Sequence, residues 1–137
     1  MFDNLVIGNF NESIEFIPDV KAFTTNKGRY YEIEPGIFYP SITTVLSQSV
    51  DLSEWVKKVG QEEADKISLK AAQNGTRLHD VVERYLKNVP INIHKEWPDT
   101  KFSFMNGKHI LDNISDIRLQ ETILWSKELQ VAGRVDC

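Results

Sequence analysis

A histidine and a glutamate stand one helical turn apart in the middle of the chain. His79 and Glu83 belong to the segment GTRLHDVVERYL, in which apolar residues recur at helical spacing. Side chains four residues apart on a helix project from the same face, so this pair could bind a metal ion or act as a general acid and base. The alternative is an ordinary surface pair that stabilises the helix by about 0.2–0.5 kcal/mol.

A second candidate carboxylate occurs near the C-terminal end. In the segment RLQETILW, strand alternation places Glu121 on one face with Leu119, Ile123 and Trp125. A charge among large apolar side chains needs a partner, because burying it alone is costly. The alternative is a solvated acid on a strand at the edge of a sheet.

Asp136 is a third candidate, and hairpin geometry relates it to Glu121. If the loop between the two strands is SKEL or KE, Trp125 pairs with Gln130 and Glu121 pairs with Arg134. Asp136 then lies diagonally from Glu121 on the same face of the hairpin. A loop of three residues would place the two acids on opposite faces.

An imidazole and two carboxylates are a suitable donor set for a hard divalent ion. Oxygen-rich ligation favours Mg²⁺ or Mn²⁺, whereas Zn²⁺ would favour further histidine or cysteine ligands. Such an ion could polarise a phosphoryl group and lower the pKa of an attacking water during phosphodiester hydrolysis. The chain contains no lysine on a following strand and no third acid after Asp136.

Length and composition indicate a single domain of ordinary globular character. The chain has 137 residues, of which 41% are hydrophobic and 26% charged, and this size disfavours two independent domains. The formal net charge of -4 gives no argument for nucleic-acid binding, although a local basic patch would be compatible with it.

The sequence favours the cytoplasm as the location of the protein. A single cysteine, Cys137, suits a reducing compartment and excludes an internal disulfide. The first residues lack a basic region and their apolar run breaks at Gly8, which is not typical of a signal peptide. No apolar stretch approaches the roughly 18 residues of a membrane span.

Basic and aromatic residues of the helical region have two interpretations. Lys70, Arg77 and Arg84 are candidates for DNA contact, but neighbouring acids favour a solvated helix face. His94 and His109 have no partners at useful spacing, and we interpret them as ordinary surface or half-buried residues. The tryptophans are expected in the core rather than as base-stacking platforms; they are Trp55, Trp97 and Trp125.

The pattern along the chain predicts a small β segment, several helices and a β-hairpin. A meander of two or three strands is expected over residues 20–39, and a short helix from Ser41 to Gln48. Residues 51–88 read as helix with a joint at Asn74–Gly75, where Gly75 either ends a helix or permits close approach of a phosphate or backbone. A further helix is expected over residues 101–114, with strands at 117–125 and 130–137.

Three segments in this order resemble the PD-(D/E)XK nuclease superfamily. They are YPSITTVLS, GTRLHDVVERYL and QETILWSKELQVAGRVDC. The similarity is to RecB-type exonucleases, which include phage exonucleases and the mitochondrial genome maintenance exonuclease. It covers roughly residues 39–137, and residues 1–38 match no motif of the family.

The resemblance implies a fold, an activity and a site. The fold would be α/β with a restriction-endonuclease-like core, and the activity would be metal-dependent hydrolysis of DNA, with single-stranded ends as substrate. His79 and Asp136 match metal-binding residues of the family, and Glu121 matches a strand glutamate that would complete the catalytic set. Glu83 matches an acid that orients the histidine or supports the structure. A phage protein of this kind would act in the host cytoplasm.

The resemblance also implies that the chain is incomplete. The family's D.K pair, which supplies a second metal carboxylate and a lysine, would follow Cys137. We therefore expect one incomplete nuclease domain, with an N-terminal β-rich segment (1–39), a helical region (40–116) and the first hairpin of the central sheet (117–137). In that case the 137-residue chain alone should not cleave DNA. The alternative is a non-catalytic helical module that binds DNA or a protein and has lost the site.

Overall fold

The computed structural model describes residues 5–137. Residues 1–4, which belong to the β-rich segment predicted over residues 1–39, lie outside the described residues. The mixture of helices and strands predicted from the sequence is confirmed. In chain order the elements are β1 (Leu5–Val6), β2 (Asn11–Glu12), β3 (Lys21–Thr25), β4 (Gly28–Glu34), β5 (Ile37–Pro40), α1 (Ile42–Ser47), α2 (Ser53–Val59), α3 (Gln61–Leu86), β6 (Ile91–Asn92), a 3-10 turn (Ile93–Lys95), α4 (Pro98–Leu111), β7 (Asp116–Ile117), β8 (Thr122–Ser126) and β9 (Val131–Val135).

The chain packs into two compact units. Of the described residues, the helical unit comprises residues 5–12 together with Trp55–Ile117. The strand unit comprises Ser13–Glu54 and Arg118–Cys137. None of the helices in residues 5–137 combines the length and the apolar character that a membrane crossing requires.

The helical unit is built around the contact between α3 and α4. Its strands form two short pairs, β1 with β6 antiparallel and β2 with β7 parallel. The ring of Tyr85 packs edge-to-face against Phe10 at 5.3 Å and against Phe104 at 5.2 Å between centroids. The buried core is a cluster of aromatic and aliphatic side chains: Phe10, Val81, Tyr85, Leu86, Ile91, Ile93, Phe104 and Ile117.

Helix α3 runs without interruption through the predicted joint at Asn74–Gly75, so that prediction was wrong. The break between helices lies instead at Gly60, whose φ of 88° and ψ of 149° belong to a region that is essentially restricted to glycine. The buried residues Val81 and Tyr85 anchor the later turns of α3, and tertiary packing of this kind outweighs the cost of one interior glycine. The helix predicted over residues 101–114 begins earlier, at Pro98, and runs through Gly107 in the same way.

Two glycine substitutions should have opposite effects on stability. Gly75→Ala should stabilise the chain by about 0.5–1 kcal/mol, because alanine is the better helix former. Within the described residues, no neighbouring atom lies within 4 Å of the position that its Cβ would take. Gly60→Ala should destabilise by about 1–3 kcal/mol through backbone strain, although the space there is equally open. Urea denaturation of the two variants measures both changes, and equal shifts of the same sign would contradict the helix boundary.

The strand unit contains the predicted meander and the short helix that follows it. Strands β3, β4 and β5 form an antiparallel sheet in that order. Ser41 caps α1, since its Oγ accepts a hydrogen bond from the backbone N–H of Thr44 at 3.0 Å. The hydroxyl of Thr44 in turn accepts the N–H of Arg29 from β4 at 2.9 Å. The segment PSITTVLS is therefore explained locally by capping and by attachment of α1 to the meander.

The hairpin β8–β9 forms as predicted, but with a different register. Ser126 pairs with Val131, so the loop contains residues 127–130, and Trp125 pairs with Ala132 rather than Gln130. The predicted loop and strand pairs were therefore wrong. The observed register differs from the predicted one by two residues, so each side chain still projects from the face of the hairpin on which it was predicted. A parallel bridge between Ser41 and Ala132 connects the hairpin with the end of the meander.

Candidate metal centre

The helical unit presents the pair of His79 and Glu83 as the sequence predicts. A ring nitrogen of His79 and a carboxylate oxygen of Glu83 lie within 4.8 Å of each other. Their alignment follows from the unbroken helix, in which Val81 and Tyr85 face the core. Glu83 also forms an ion pair with Lys87, one turn further along α3. A cation bound by the pair would therefore compete with, or displace, the ammonium group of Lys87.

Glu121 lies at the beginning of the hairpin rather than within a strand. The prediction of a strand over residues 117–125 was wrong at this point, because β8 begins only at Thr122. Glu121 adopts a φ of 51°, in the left-handed region that is uncommon for residues other than glycine. Such a conformation costs roughly 1–2 kcal/mol, and strained residues of this kind cluster at functional sites.

The carboxylate of Glu121 is largely buried and has a cationic neighbour. Its side chain is 13% exposed, and one oxygen accepts a charge-assisted hydrogen bond from Nε of Arg134 at 2.8 Å. Arg134 pairs across the hairpin with Ile123, so its contact with Glu121 is diagonal, not directly opposite as predicted. Arg134 is therefore the partner that we expected for the charge of Glu121 among apolar side chains.

Asp136 lies beside Glu121 at the open end of the hairpin. The backbone N–H of Glu121 donates to the carbonyl oxygen of Asp136 at 3.3 Å. The diagonal placement predicted for the two acids is thus replaced by a direct cross-strand neighbourhood. Asp136 is exposed. The backbones of Glu121 and Asp136 therefore lie side by side at the end of the hairpin, and carboxylates are the kind of donors that Mg²⁺ and Mn²⁺ prefer.

The candidates for DNA contact on α3 differ in their surroundings. Arg84 bridges two acids, with its guanidinium 2.8 Å from Asp80 and 2.9 Å from Glu96. The hydrogen bond to Glu96 is the main reason that the pKa of Arg84 is raised above its ordinary value. Arg77 stacks over the ring of Trp97, 4.2 Å from its centroid, and Lys70 is exposed. Arg84 therefore has a structural role, while Arg77 and Lys70 remain available to a ligand.

The exposure of Trp97 was not anticipated from the sequence. Trp97 is 60% exposed, which contradicts its expected place in the core. It precedes α4 directly, and the Trp-Pro pair that begins this helix was the available signal. Trp55 and Trp125 are half-buried, and His94 and His109 are exposed as interpreted. No neighbouring atom of the described chain lies within 4 Å of the Cβ position of Gly75, so there is room for a phosphate or another backbone to approach it closely.

Comparison with known proteins gives no match. No protein-family model, no curated protein and no solved structure is similar to this chain. The interpretation of the pair of His79 and Glu83 and of the pair of Glu121 and Asp136 therefore depends on the chemistry of their own donor atoms.

Proposed function

We propose that the chain is the N-terminal part of a metal-dependent DNA exonuclease of the PD-(D/E)XK superfamily. It would hydrolyse phosphodiester bonds at single-stranded DNA ends, in the cytoplasm or, for a phage protein, in that of the host. In this proposal His79, Glu121 and Asp136 bind Mg²⁺ or Mn²⁺, and Glu83 orients the imidazole. Strands β8 and β9 form the first hairpin of a restriction-endonuclease-like sheet.

The observation that carries the proposal is the largely buried carboxylate of Glu121. Its side chain is 13% exposed, and its backbone N–H donates to the carbonyl oxygen of Asp136. The diagonal contact with Arg134 holds the carboxylate at the end of the hairpin. In the proposed site, Glu121 and Asp136 supply oxygen ligands, and the imidazole of His79 is the nitrogen ligand that the family motif adds.

The proposed chemistry divides between the ion and the side chains. A divalent ion held by these residues would polarise the phosphoryl group and lower the pKa of an attacking water. Glu83 would accept a hydrogen bond from the ring N–H of His79 and so fix the tautomer that leaves the other nitrogen to the metal. Arg134 would limit the negative charge that accumulates when Glu121 and Asp136 are both ionised.

Metal-dependent DNA binding tests this function in the chain of residues 1–137. A fluorescently labelled single-stranded oligonucleotide should bind more tightly in Mn²⁺ than in EDTA, since the ion bridges carboxylates and phosphate. Asp136→Asn should remove most of this metal-dependent gain, which we expect to be about tenfold or more. Glu128→Gln is the matched control, because it removes the same charge from an exposed acid in the loop of the same hairpin.

The alternative function predicts a different pattern. A non-catalytic binding module would bind DNA equally in Mn²⁺ and EDTA, and neither substitution would alter the ratio. Equal gains in the wild type, Asp136→Asn and Glu128→Gln would show that the ion does not use Asp136. Either result would contradict the proposed nuclease site.

A further inference from the structure

An exposed tryptophan carries a stacked guanidinium on the surface of the helical unit. Trp97 keeps 60% of its surface exposed, and the guanidinium carbon of Arg77 lies 4.2 Å from the centroid of its ring. Arg77 also donates a hydrogen bond to Oδ1 of Asn74 at 3.5 Å. A ring already paired with a cation is a recurrent element of ligand-binding surfaces.

The acids nearest to this stack are paired with another residue. Asp80 lies three residues after Arg77 on α3, and Glu96 directly precedes Trp97. Both pair with Arg84, at 2.8 Å and 2.9 Å. Arg84 thus offsets one of the two negative charges beside the stack, while the guanidinium of Arg77 lies over the aromatic ring of Trp97.

The adjoining surface of α3 is open, and its side chains other than Arg77 are short or uncharged. Ala72, Gln73, Thr76 and Arg77 line a shallow cavity of about 350 Å³. Gly75 leaves the helix backbone accessible between these residues, with no neighbouring atom of the described chain within 4 Å of its Cβ position. Lys70 precedes Arg77 by seven residues and is exposed, so the two cations lie on one helical face.

We propose that Trp97 and Arg77 form a stacking platform for one base of single-stranded DNA, with Lys70 directed to a neighbouring phosphate. Unpaired bases stack on aromatic rings and on guanidinium planes, and a cation beside the ring attracts the phosphate attached to the base. The small side chains along α3 allow the sugar-phosphate backbone to pass. The choice of DNA as ligand rests on the proposed function, and the platform gives that function its preference for unpaired strands.

Binding of a labelled oligothymidine, measured by fluorescence anisotropy in EDTA, tests the platform without a contribution from metal. Trp97→Ala should weaken binding about tenfold, as expected when one base loses an aromatic partner. Arg77→Gln should weaken binding in the same direction and should reduce its dependence on salt concentration. Phe102→Ala is the matched control, since Phe102 is 70% exposed on the neighbouring helix α4 and should leave the affinity unchanged.

Three results would overturn the platform. Equal affinity of the wild type and Trp97→Ala would exclude stacking on this ring. If Trp97→Ala weakened binding of a duplex of the same length by the same factor, the ring would not be recognising unpaired bases. If the wild type did not bind oligothymidine at all, single-stranded DNA would not be the ligand. Mn²⁺ titration of the same variants separates this failure from failure of the nuclease site, because Trp97→Ala should bind Mn²⁺ as the wild type does.

Arg77→Gln also guards against misfolding as an explanation. The substitution retains a long polar side chain at a half-buried helical position, so the far-UV circular dichroism and the unfolding midpoint should stay close to those of the wild type. A weaker affinity with an unchanged midpoint supports the platform. An unchanged affinity in this folded variant contradicts the role of Arg77.

Discussion

Replacing Phe104 with alanine should lower the free energy of unfolding of the helical unit by about 3–5 kcal/mol. Phe104 is 1% exposed and is among the largest fully buried side chains of the described residues. Its ring packs edge-to-face against Tyr85 at 5.2 Å, so the truncation removes both buried area and an aromatic contact. Because small proteins are stable by only about 5–15 kcal/mol, this loss would be a large fraction of the total.

Urea denaturation followed by far-UV circular dichroism measures this effect, since α3 and α4 dominate the helical signal of the unit. Phe102→Ala is the matched control on the same helix, where a phenylalanine that is 70% exposed should contribute less than about 0.5 kcal/mol. Similar midpoints for the two variants would contradict the placement of Phe104 in the core.

Replacing His79 with alanine should weaken Mn²⁺ binding by more than about tenfold. The imidazole is the only nitrogen ligand in the proposed set, and Glu83 on the next turn of α3 is placed to orient it. The substitution should change the free energy of unfolding by no more than about 1 kcal/mol. The loss of Mn²⁺ affinity would then be due to the missing imidazole ligand and not to unfolding.

His109→Ala is the control for this substitution. His109 is exposed on α4 and, like His79, is an imidazole of the helical unit. A non-specific surface interaction between Mn²⁺ and histidine would be weakened equally by either change. Specific ligation predicts that only His79→Ala has an effect.

Local sequence signals predicted the elements whose stability is local. The meander over residues 20–39 and the short helix that begins after Ser41 depend on residues close together in sequence, and both were predicted at the right place. The interior glycine of α3 gave a false joint, because propensity cannot register the burial of Val81 and Tyr85 that holds the helix together. Gly60 marks the true break through its backbone conformation.

The register of the hairpin and the site at its end could be predicted only in part. Alternation fixed which side chains share a face, but the loop of residues 127–130 is set by turn geometry that the sequence leaves open. The left-handed conformation of Glu121 has no signal in the sequence, because nothing near it favours a positive φ. The exposure of Trp97 was missed for a different reason: large aromatic residues are usually buried, and this expectation outweighed the signal of the Trp-Pro pair.

Calorimetric titration of Mn²⁺ into four forms of the chain tests most directly whether His79 and Glu121 hold one ion. The forms are the wild type, His79→Ala, Glu121→Gln and the double variant. A shared ion predicts one Mn²⁺ per wild-type chain, a loss of more than about tenfold in each single variant, and a double variant hardly weaker than either, because ligands of one ion act together. No binding by the wild type, or two losses that simply add, would contradict the proposed metal centre.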